Sequence, residues 1–330
     1  MRTTRYRTLA GGAGPEVSTL CLGALPFGTT VDEETSFALL DRFTEAGGTF
    51  VDTANNYACW VDGATGDESE LLLGRRLRSR RARDRVVFAT KVGARPDPAR
   101  GTRWIGDDGD LGNAEGLAGH VVRAGLRDSL RRLGTDRVDV HHAHVDDPRV
   151  PLEETVEAFA GLVADGSAGT PGVSNHATGR IAEARRIAAG RGLPGYRVVQ
   201  QRHTYLRPRP GARFGVQRHA DAGLLAYAGG AADLDVTAYS TLVHGAYTRD
   251  DKELPEQYRH EGTRRRLRVL REVARETGAT PHQVVPAWLL GGDVPVLPVL
   301  GVSSVAQLDE LLPAADLVLA PELRARLDAA

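Results

Sequence analysis

RVVFATKV, residues 85–92, is an apolar run of strand length, rich in valine and closed by a lysine. The segments on either side have a different rhythm: ESELLLGRRLRSR (68–80) and GHVVRAGLRDSLRRLG (119–134) place apolar residues three and four apart, the period of an amphipathic helix. The same alternation continues outward in both directions. Strands are expected at STLCLGA (18–24), TFVDTA (49–54), RVDVHHAH (137–144), SAGTPGVSN (167–175), RVVQQRH (197–203), LDVTAYS (234–240) and VPVLPVLG (294–301). Further helices are expected at EETSFALLDRFTEAG (33–47), LEETVEAFAGLVADG (152–166), GRIAEARRIAAG (179–190), TRRRLRVLREVARETG (263–278) and SVAQLDELLPAA (304–315). Buried strands alternating with helices predict a closed parallel barrel, a (β/α)8 TIM barrel, because parallel neighbours need helical crossovers and closure leaves no unpaired edge. RYRTLAGGAGPEVSTL (5–20), glycine-rich at its centre, reads as a β-hairpin capping the barrel floor. No linker or low-complexity stretch interrupts the chain, so residues 1–330 are expected to form one domain. Two irregular stretches, Gly93 to Gly116 and Tyr247 to Gly262, exceed ordinary loop length and read as functional lids.

Composition narrows the class of partner. Lys and Arg total 42 against 43 Asp and Glu, a formal charge of -1, which is not the electrostatic footprint of a nucleic-acid binder. The partner is expected to be a small molecule. Two cysteines, Cys21 and Cys59, are too few for a disulfide scaffold, the start MRTTRYRTLAGGAG lacks a signal-peptide core, and no apolar run reaches membrane-spanning length. A soluble cytoplasmic protein is expected, with its oligomeric state left open.

Barrel geometry singles out four residues. Reactive groups in such barrels sit at the C-terminal ends of the strands. Asp52, Lys91 and His144 lie near the ends of the second, third and fourth strands, and Tyr57 follows a few residues into the loop after the second. Only Lys91 and Lys252 among the basic residues are lysines, so Lys91 is a marked choice of a compact charge on a flexible stem over the broad arginine fork. A buried ammonium requires a carboxylate partner, which Asp52 supplies. A phenol with a reference pKa of about 10 is a poor acid, and an adjacent ammonium is expected to lower that value. Tyr57 could then protonate a carbonyl oxygen as hydride arrives, while Lys91 and His144 stabilise the developing charge.

These residues sit in a set of stretches that resembles the aldo-keto reductase family. The stretches are GGTFVDTANNY (47–57), FATKVG (88–93), LGTDRVDVHHAHVDDP (133–148), PGVSNH (171–176), VTAYSTL (236–242) and LGVSSVAQLDE (300–310), in the family's order. The resemblance implies that an Asp52, Tyr57, Lys91 and His144 tetrad reduces aldehydes or ketones with a nicotinamide cofactor. It also implies that Ser174, Asn175 and Gln200 hold the nicotinamide carboxamide, that Gly23 allows close approach, and that His203, where the family has a tyrosine, stacks on the ring. Ser240, Leu242 and Gly245 match the pyrophosphate loop, with Thr241 in place of a proline, and Arg249 is placed to supply charge. Gly301, Val302, Ser303, Gln307 and Glu310 match the adenosine-phosphate region. Ser303 stands where many members carry a basic residue, so NADP is the expected cofactor on family grounds and NAD the alternative.

Other readings compete with this one. Asp52 and Lys91 alone could be a structural ion pair. Strand alternation turns His141 toward the helices and His142 into the barrel. His142 and His144 form an H-x-H pair that, with His176 and His203, would suit a metal-dependent barrel hydrolase, although no metal site is expected. A non-catalytic cofactor-binding regulatory subunit is the third possibility. Cys59 and Trp60 read as pocket walls, Arg95, Arg100, Arg103 and Trp104 hint at a polar or acidic substrate, and RRLRSRRARDR (75–85) reads as a solvated helix face.

Overall fold

In the computed structural model, residues 6–97, 113–249 and 251–330 are described. The early hairpin forms from β1 (Tyr6–Thr8) and β2 (Glu16–Ser18), paired antiparallel. Eight strands then close a parallel barrel in chain order: β3 (Cys21–Gly23), β4 (Phe50–Asp52), β5 (Val87–Val92), β6 (Val138–Ala143), β7 (Ala168–Ser174), β8 (Val198–Arg202), β9 (Asp235–Tyr239) and β10 (Val296–Gly301), with β10 pairing back onto β3. The expected barrel is present. The strands are shorter than expected at their ends, and the first starts later because Ser18 ends β2 rather than beginning β3. Its hydroxyl accepts the amides of Thr49 and Phe50, which fastens the hairpin beneath β4.

The hairpin plugs the floor. Leu9 and Val17 pack with Cys21, Phe50, Ala89, Val140, Val198 and Leu297, the lower inward-facing side chains of the strands. Asp235, at the start of β9, accepts the Ala10 amide at 2.6 Å and the Arg7 guanidinium at 2.7 Å, so the plug is tied to the wall.

Around the barrel lie α1 (Glu33–Glu45), α2 (Glu68–Arg80), α3 (Gly119–Leu133), α4 (Leu152–Ala164), α5 (Thr178–Gly190), α6 (Ala222–Gly229), α7 (Glu261–Thr277), α8 (Pro281–Leu290), α9 (Val305–Leu311) and α10 (Pro321–Asp328). Local signals start and stop them. The Asp32 side chain accepts the Thr35 amide and caps α1, with Glu33 and Glu34 in the first turn where the helix dipole favours negative charge. The apolar stripe of α2, Leu72, Leu73 and Leu77, faces the core. Its arginines meet acids: Arg75 pairs with Glu33, Arg76 and Arg80 with Asp41, and Arg83 just beyond with Asp139. Three helices beyond those expected, α6, α8 and α10, have only weak amphipathic spacing; α8, for example, is apolar nearly all round and carries Pro286 inside it. None of the described helices is long and apolar enough to cross a membrane.

Register positions the site. Asp52 pairs with Ala89 on β5, Lys91 pairs with His142 on β6, and His142 pairs with Gly172 on β7. Inward positions therefore climb by a residue pair between strands, as tilted barrel strands require. A Cβ at residue 172 would lie 2.5 Å from the His142 ring, so the glycine makes room for an imidazole in the barrel centre. His141 faces outward with its ring 5.2 Å from that of Phe159 on α4.

Candidate active site

β4 and β5 end at the same rim, and their last inward side chains meet. Lys91 Nζ donates to Asp52 Oδ1 and Oδ2, both at 2.7 Å, to the Thr53 carbonyl at 2.8 Å and to Tyr57 Oη at 2.6 Å. Tyr57 Oη in turn donates to Asp52 Oδ2 at 2.7 Å. The loop after β4 is held in place for this contact. Asn55 donates twice around the end of β5: its backbone amide donates to the Lys91 carbonyl at 3.1 Å and its side chain donates to Glu115 at 2.9 Å. Lys91 is wholly buried and Tyr57 only 8% exposed.

His144 completes the group from β6. Its ring lies edge-on to Tyr57, with centroids 6.1 Å apart, and its amide bonds the Val92 carbonyl at 2.9 Å. Its Nδ1 is buried without a hydrogen-bond partner. The structure thus brings together all four residues expected to carry the chemistry.

Electrostatics correct one expectation. The Tyr57 phenol is pushed well above its ordinary value, chiefly by burial and then by the Asp52 carboxylate that accepts its hydrogen. Lys91 was expected to acidify it, but the carboxylate cancels the ammonium's field. The consequence is a phenol that keeps its proton until something draws it away. Burial, followed by the charge of Lys91, pushes His144 well below the usual imidazole value, so this ring is neutral. Lys91 is lowered by burial, with Asp52 opposing the shift.

The expected cofactor residues occupy the next part of the rim. Gln200, inward on β8, donates from Nε2 to Asp52 Oδ1 at 2.8 Å, so it belongs to the ionic network itself. Asn175, in left-handed backbone after β7, donates to the His144 carbonyl and to Ser174 Oγ, both at 3.1 Å. Its Oδ1 accepts the Tyr239 hydroxyl at 2.7 Å. Tyr239 was not singled out from the sequence, although its place at the end of β9, one residue before Ser240, was a usable signal. Its half-buried ring offers the rim an aromatic face.

His203 is a correction. Val198 and Gln200 face inward, so alternation turns residues 199, 201 and 203 outward. The His203 ring lies 5.2 Å from that of His219 and 6.0 Å from that of Trp288 on α8, and burial pulls it to about 3. It packs in the helical layer rather than over the tetrad.

Farther round, Ser240 to Gly245 form a tight turn in which Ser240, Val243, His244 and Gly245 all have left-handed backbone and Leu242 is half-buried. Arg249 is exposed and held by Asp251, which restricts the charge it can supply to a phosphate. At Gly23 a Cβ would crowd Val299 at 3.0 Å, so this glycine serves the packing of β3 on β10. Gly301 is open, Val302 is buried, and Ser303 donates to Gln307 Oε1 from its amide at 2.8 Å and its hydroxyl at 3.2 Å. Glu310 accepts Gln283 on its carbonyl at 2.7 Å. Arg95 is engaged by Asp67 at 2.6 Å, while Arg100, Arg103 and Trp104 lie outside the described residues. Among the described residues no cluster of His, Cys, Asp or Glu is arranged to share a cation.

A closed parallel barrel with an Asp–Lys–Tyr network and a histidine at its rim defines a class, and the chain belongs to the aldo/keto reductase family, whose model matches residues 19–330. It is therefore an oxidoreductase of a family that uses nicotinamide cofactors. The thermostable aldo-keto reductase Tm1743, in complex with the inhibitor epalrestat, superposes with a TM-score of 0.73 at 26% identity, covering 98% of this chain and 99% of that one. The oxidoreductase YrpG of Bacillus subtilis is 31% identical, covering 96% of this chain and 93% of its own. Norsolorinic acid reductase stcV of Emericella nidulans is 31% identical over 92% of this chain and 76% of its own. The aryl-alcohol dehydrogenase (NADP(+)) of Phanerodontia chrysosporium is 29% identical over 96% and 83%.

Proposed function

We propose that the protein reduces an aldehyde or ketone to the alcohol, with Tyr57 as the proton donor and NADPH as the preferred cofactor. The observation that carries this reading is the bonding of Tyr57 Oη to both Lys91 Nζ at 2.6 Å and Asp52 Oδ2 at 2.7 Å. A bound reduced nicotinamide supplies the hydride. The rest falls to the chain's own residues. Tyr57 delivers its proton to the carbonyl oxygen, and the ammonium of Lys91 stabilises the phenolate left behind. Asp52 holds Lys91 charged in a buried setting, and the neutral His144 orients the carbonyl oxygen by hydrogen bonding.

The rim fits a nicotinamide. Ser174, Asn175 and Gln200 provide amide and hydroxyl groups, and Tyr239 a flat aromatic face. Ser240, Leu242 and Gly245 would line the diphosphate, and Gly301, Val302, Ser303, Gln307 and Glu310 the adenosine. The preference for NADPH rests on the family and on the NADP(+)-linked aryl-alcohol dehydrogenase relative, since Ser303 brings no charge to a 2′-phosphate.

Fluorescence titration with NADPH and NADH, followed by an aldehyde and ketone panel beginning with aryl aldehydes, tests the proposal. Oxidation of the reduced nicotinamide that depends on added carbonyl is the expected result. Tight cofactor binding with no turnover across the panel would instead mark a regulatory subunit.

A further inference from the structure

Resting on the nicotinamide reading above, we propose that Arg202 binds the cofactor phosphate that adjoins the nicotinamide ribose.

Arg202 closes β8 on the inward face it shares with Val198 and Gln200, the glutamine that bonds Asp52. It is a buried residue, only 6% exposed. The other buried cations are accounted for. Lys91 pairs with Asp52 and Arg76 with Asp41, while the terminal nitrogens of Arg266 on α7 are sealed. Arg202 makes no ion pair among the described residues. Its Nη1 donates to Gln217 Oε1 at 2.7 Å, and its Nε reaches the Tyr258 hydroxyl only at 3.5 Å. Nη2 bonds nothing among the described residues and, unlike the Arg266 nitrogens, is not sealed from solvent. A neutral amide and an aromatic face offset only part of the cost of burying a charge. The remainder calls for an anion that another molecule brings.

The place of Arg202 selects that anion. Gln201 and Phe214 line the cavity beside residues 208–219 and Arg202 does not, since alternation turns it to the barrel mouth. There it pairs in register with Tyr239, whose ring is the flat face offered to the nicotinamide. Ser240 follows directly and begins the turn assigned to the diphosphate. His244 in that turn is lowered by burial first and then by the charges of Arg202 and Lys252, so the guanidinium stands close to the turn as well. The turn has no strong cation of its own. Arg249 is held by Asp251, and Lys252 is exposed, where water and salt screen it. A phosphate leaving the nicotinamide ribose for this turn passes Arg202, where burial makes a charge-assisted bond strong.

The guanidinium is also held ready. It lies 4.5 Å from the Phe214 ring centroid and 6.0 Å from that of Tyr258. The Arg202 backbone is clasped by residues 218–220, its amide donating to the Arg218 carbonyl at 2.9 Å and its carbonyl accepting the Ala220 amide at 2.8 Å. An anchor fixed before the ligand arrives loses little freedom on binding.

Fluorescence titration of the intact protein tests this with NADPH, reduced nicotinamide mononucleotide and the reduced riboside, which lacks the phosphate. Arg202→Met should weaken NADPH and the mononucleotide by about tenfold or more and leave the riboside within about twofold. Arg202→Lys keeps the charge and should bind both phosphate-bearing ligands at least about threefold more tightly than Arg202→Met. The proposal is overturned if Arg202→Met binds NADPH as tightly as the parent. It is equally overturned if the mononucleotide and the riboside weaken alike, which would make Arg202 a support for the fold. A third contrary result is a loss confined to the KM of a carboxylated benzaldehyde relative to benzaldehyde, which would give Arg202 to the substrate. A parent protein that binds none of the three ligands would overturn the nicotinamide reading itself.

Discussion

Thr90 and Lys91 are neighbours on β5, and each meets a buried carboxylate on opposite sides of the barrel wall. Outside, Thr90 donates to Glu70 Oε1 at 2.5 Å, and Arg132 from α3 donates to Glu70 Oε2 at 2.7 Å. Inside, Lys91 and Asp52 form the corresponding pair. Both carboxylates are buried and both are matched by a cation, so burial and pairing do not distinguish function from scaffold. What differs is the end of each network. Glu70 is enclosed by a hydroxyl and a guanidinium, neither of which exchanges a proton near neutral pH. Asp52 and Lys91 end on a phenol at the barrel mouth, and that hydroxyl can pass its hydrogen to another molecule.

Substitutions on the two sides should therefore diverge. The largest effect is expected from Tyr57→Phe, which keeps the ring and removes only the transferable proton. Turnover should fall by about 10² to 10⁴ while the dissociation constant for the cofactor stays nearly unchanged, measured by steady-state rates and fluorescence titration. Equal activity in the variant would refute the assignment. On the outer side, Glu70→Ala leaves Arg132 without its nearer partner and should cost roughly 3–5 kcal/mol in urea unfolding. Turnover per folded molecule should hold to within about threefold, since Thr90 points away from the mouth; a collapse in turnover with stability intact would erase the contrast.

The histidines give the comparison a pH axis. Burial lowers His141 to about 4 and His203 to about 3. Above the ordinary imidazole value of about 6.5, both rings are neutral in the folded and unfolded chains, and stability does not change with pH on their account. As the pH falls below it, the unfolded chain takes up protons that the folded rings refuse. Stability is then lost at about 1.4 kcal/mol per pH unit for each ring, down to about 4 for His141 and about 3 for His203. Urea midpoints between pH 7 and pH 5 should drop accordingly, and midpoints that rise over this range would contradict the burial of these rings.

Gly172→Ala should cost about 1–3 kcal/mol, because the added methyl meets the His142 ring. A thermal midpoint equal to the parent's would show that the ring can move aside. The smallest effect is expected from Arg249→Gln: with its guanidinium already held by Asp251, the KM for NADPH should rise by no more than about threefold. A much larger rise would mean that Arg249 leaves Asp251 when the cofactor binds.

Much of this was legible in the residues. The short apolar runs and the stretches with apolar residues three and four apart marked eight strands and most helices, and the strand ends at Asp52, Lys91 and His144 marked the site because barrels gather their reactive groups there. α6, α8 and α10 were harder to see, since an apolar or short helix carries no amphipathic period. The tie from Gln200 to Asp52 joins residues 148 apart in sequence, and no local pattern reports such a contact. Family position places His203 over the nicotinamide, but alternation along β8 turns it outward into the helical layer.

The amino-acid order by itself determined the barrel and the presence of an acid, an ammonium, a phenol and an imidazole at one rim, because strand and helix periods and strand-end positions are local properties of the chain. Only the tertiary structure decided that the phenol stays protonated and that Gln200 joins the carboxylate. It also decided that the arginines of α2 meet acids. Those outcomes depend on distances across strands and on the removal of water, which are set only when the barrel closes.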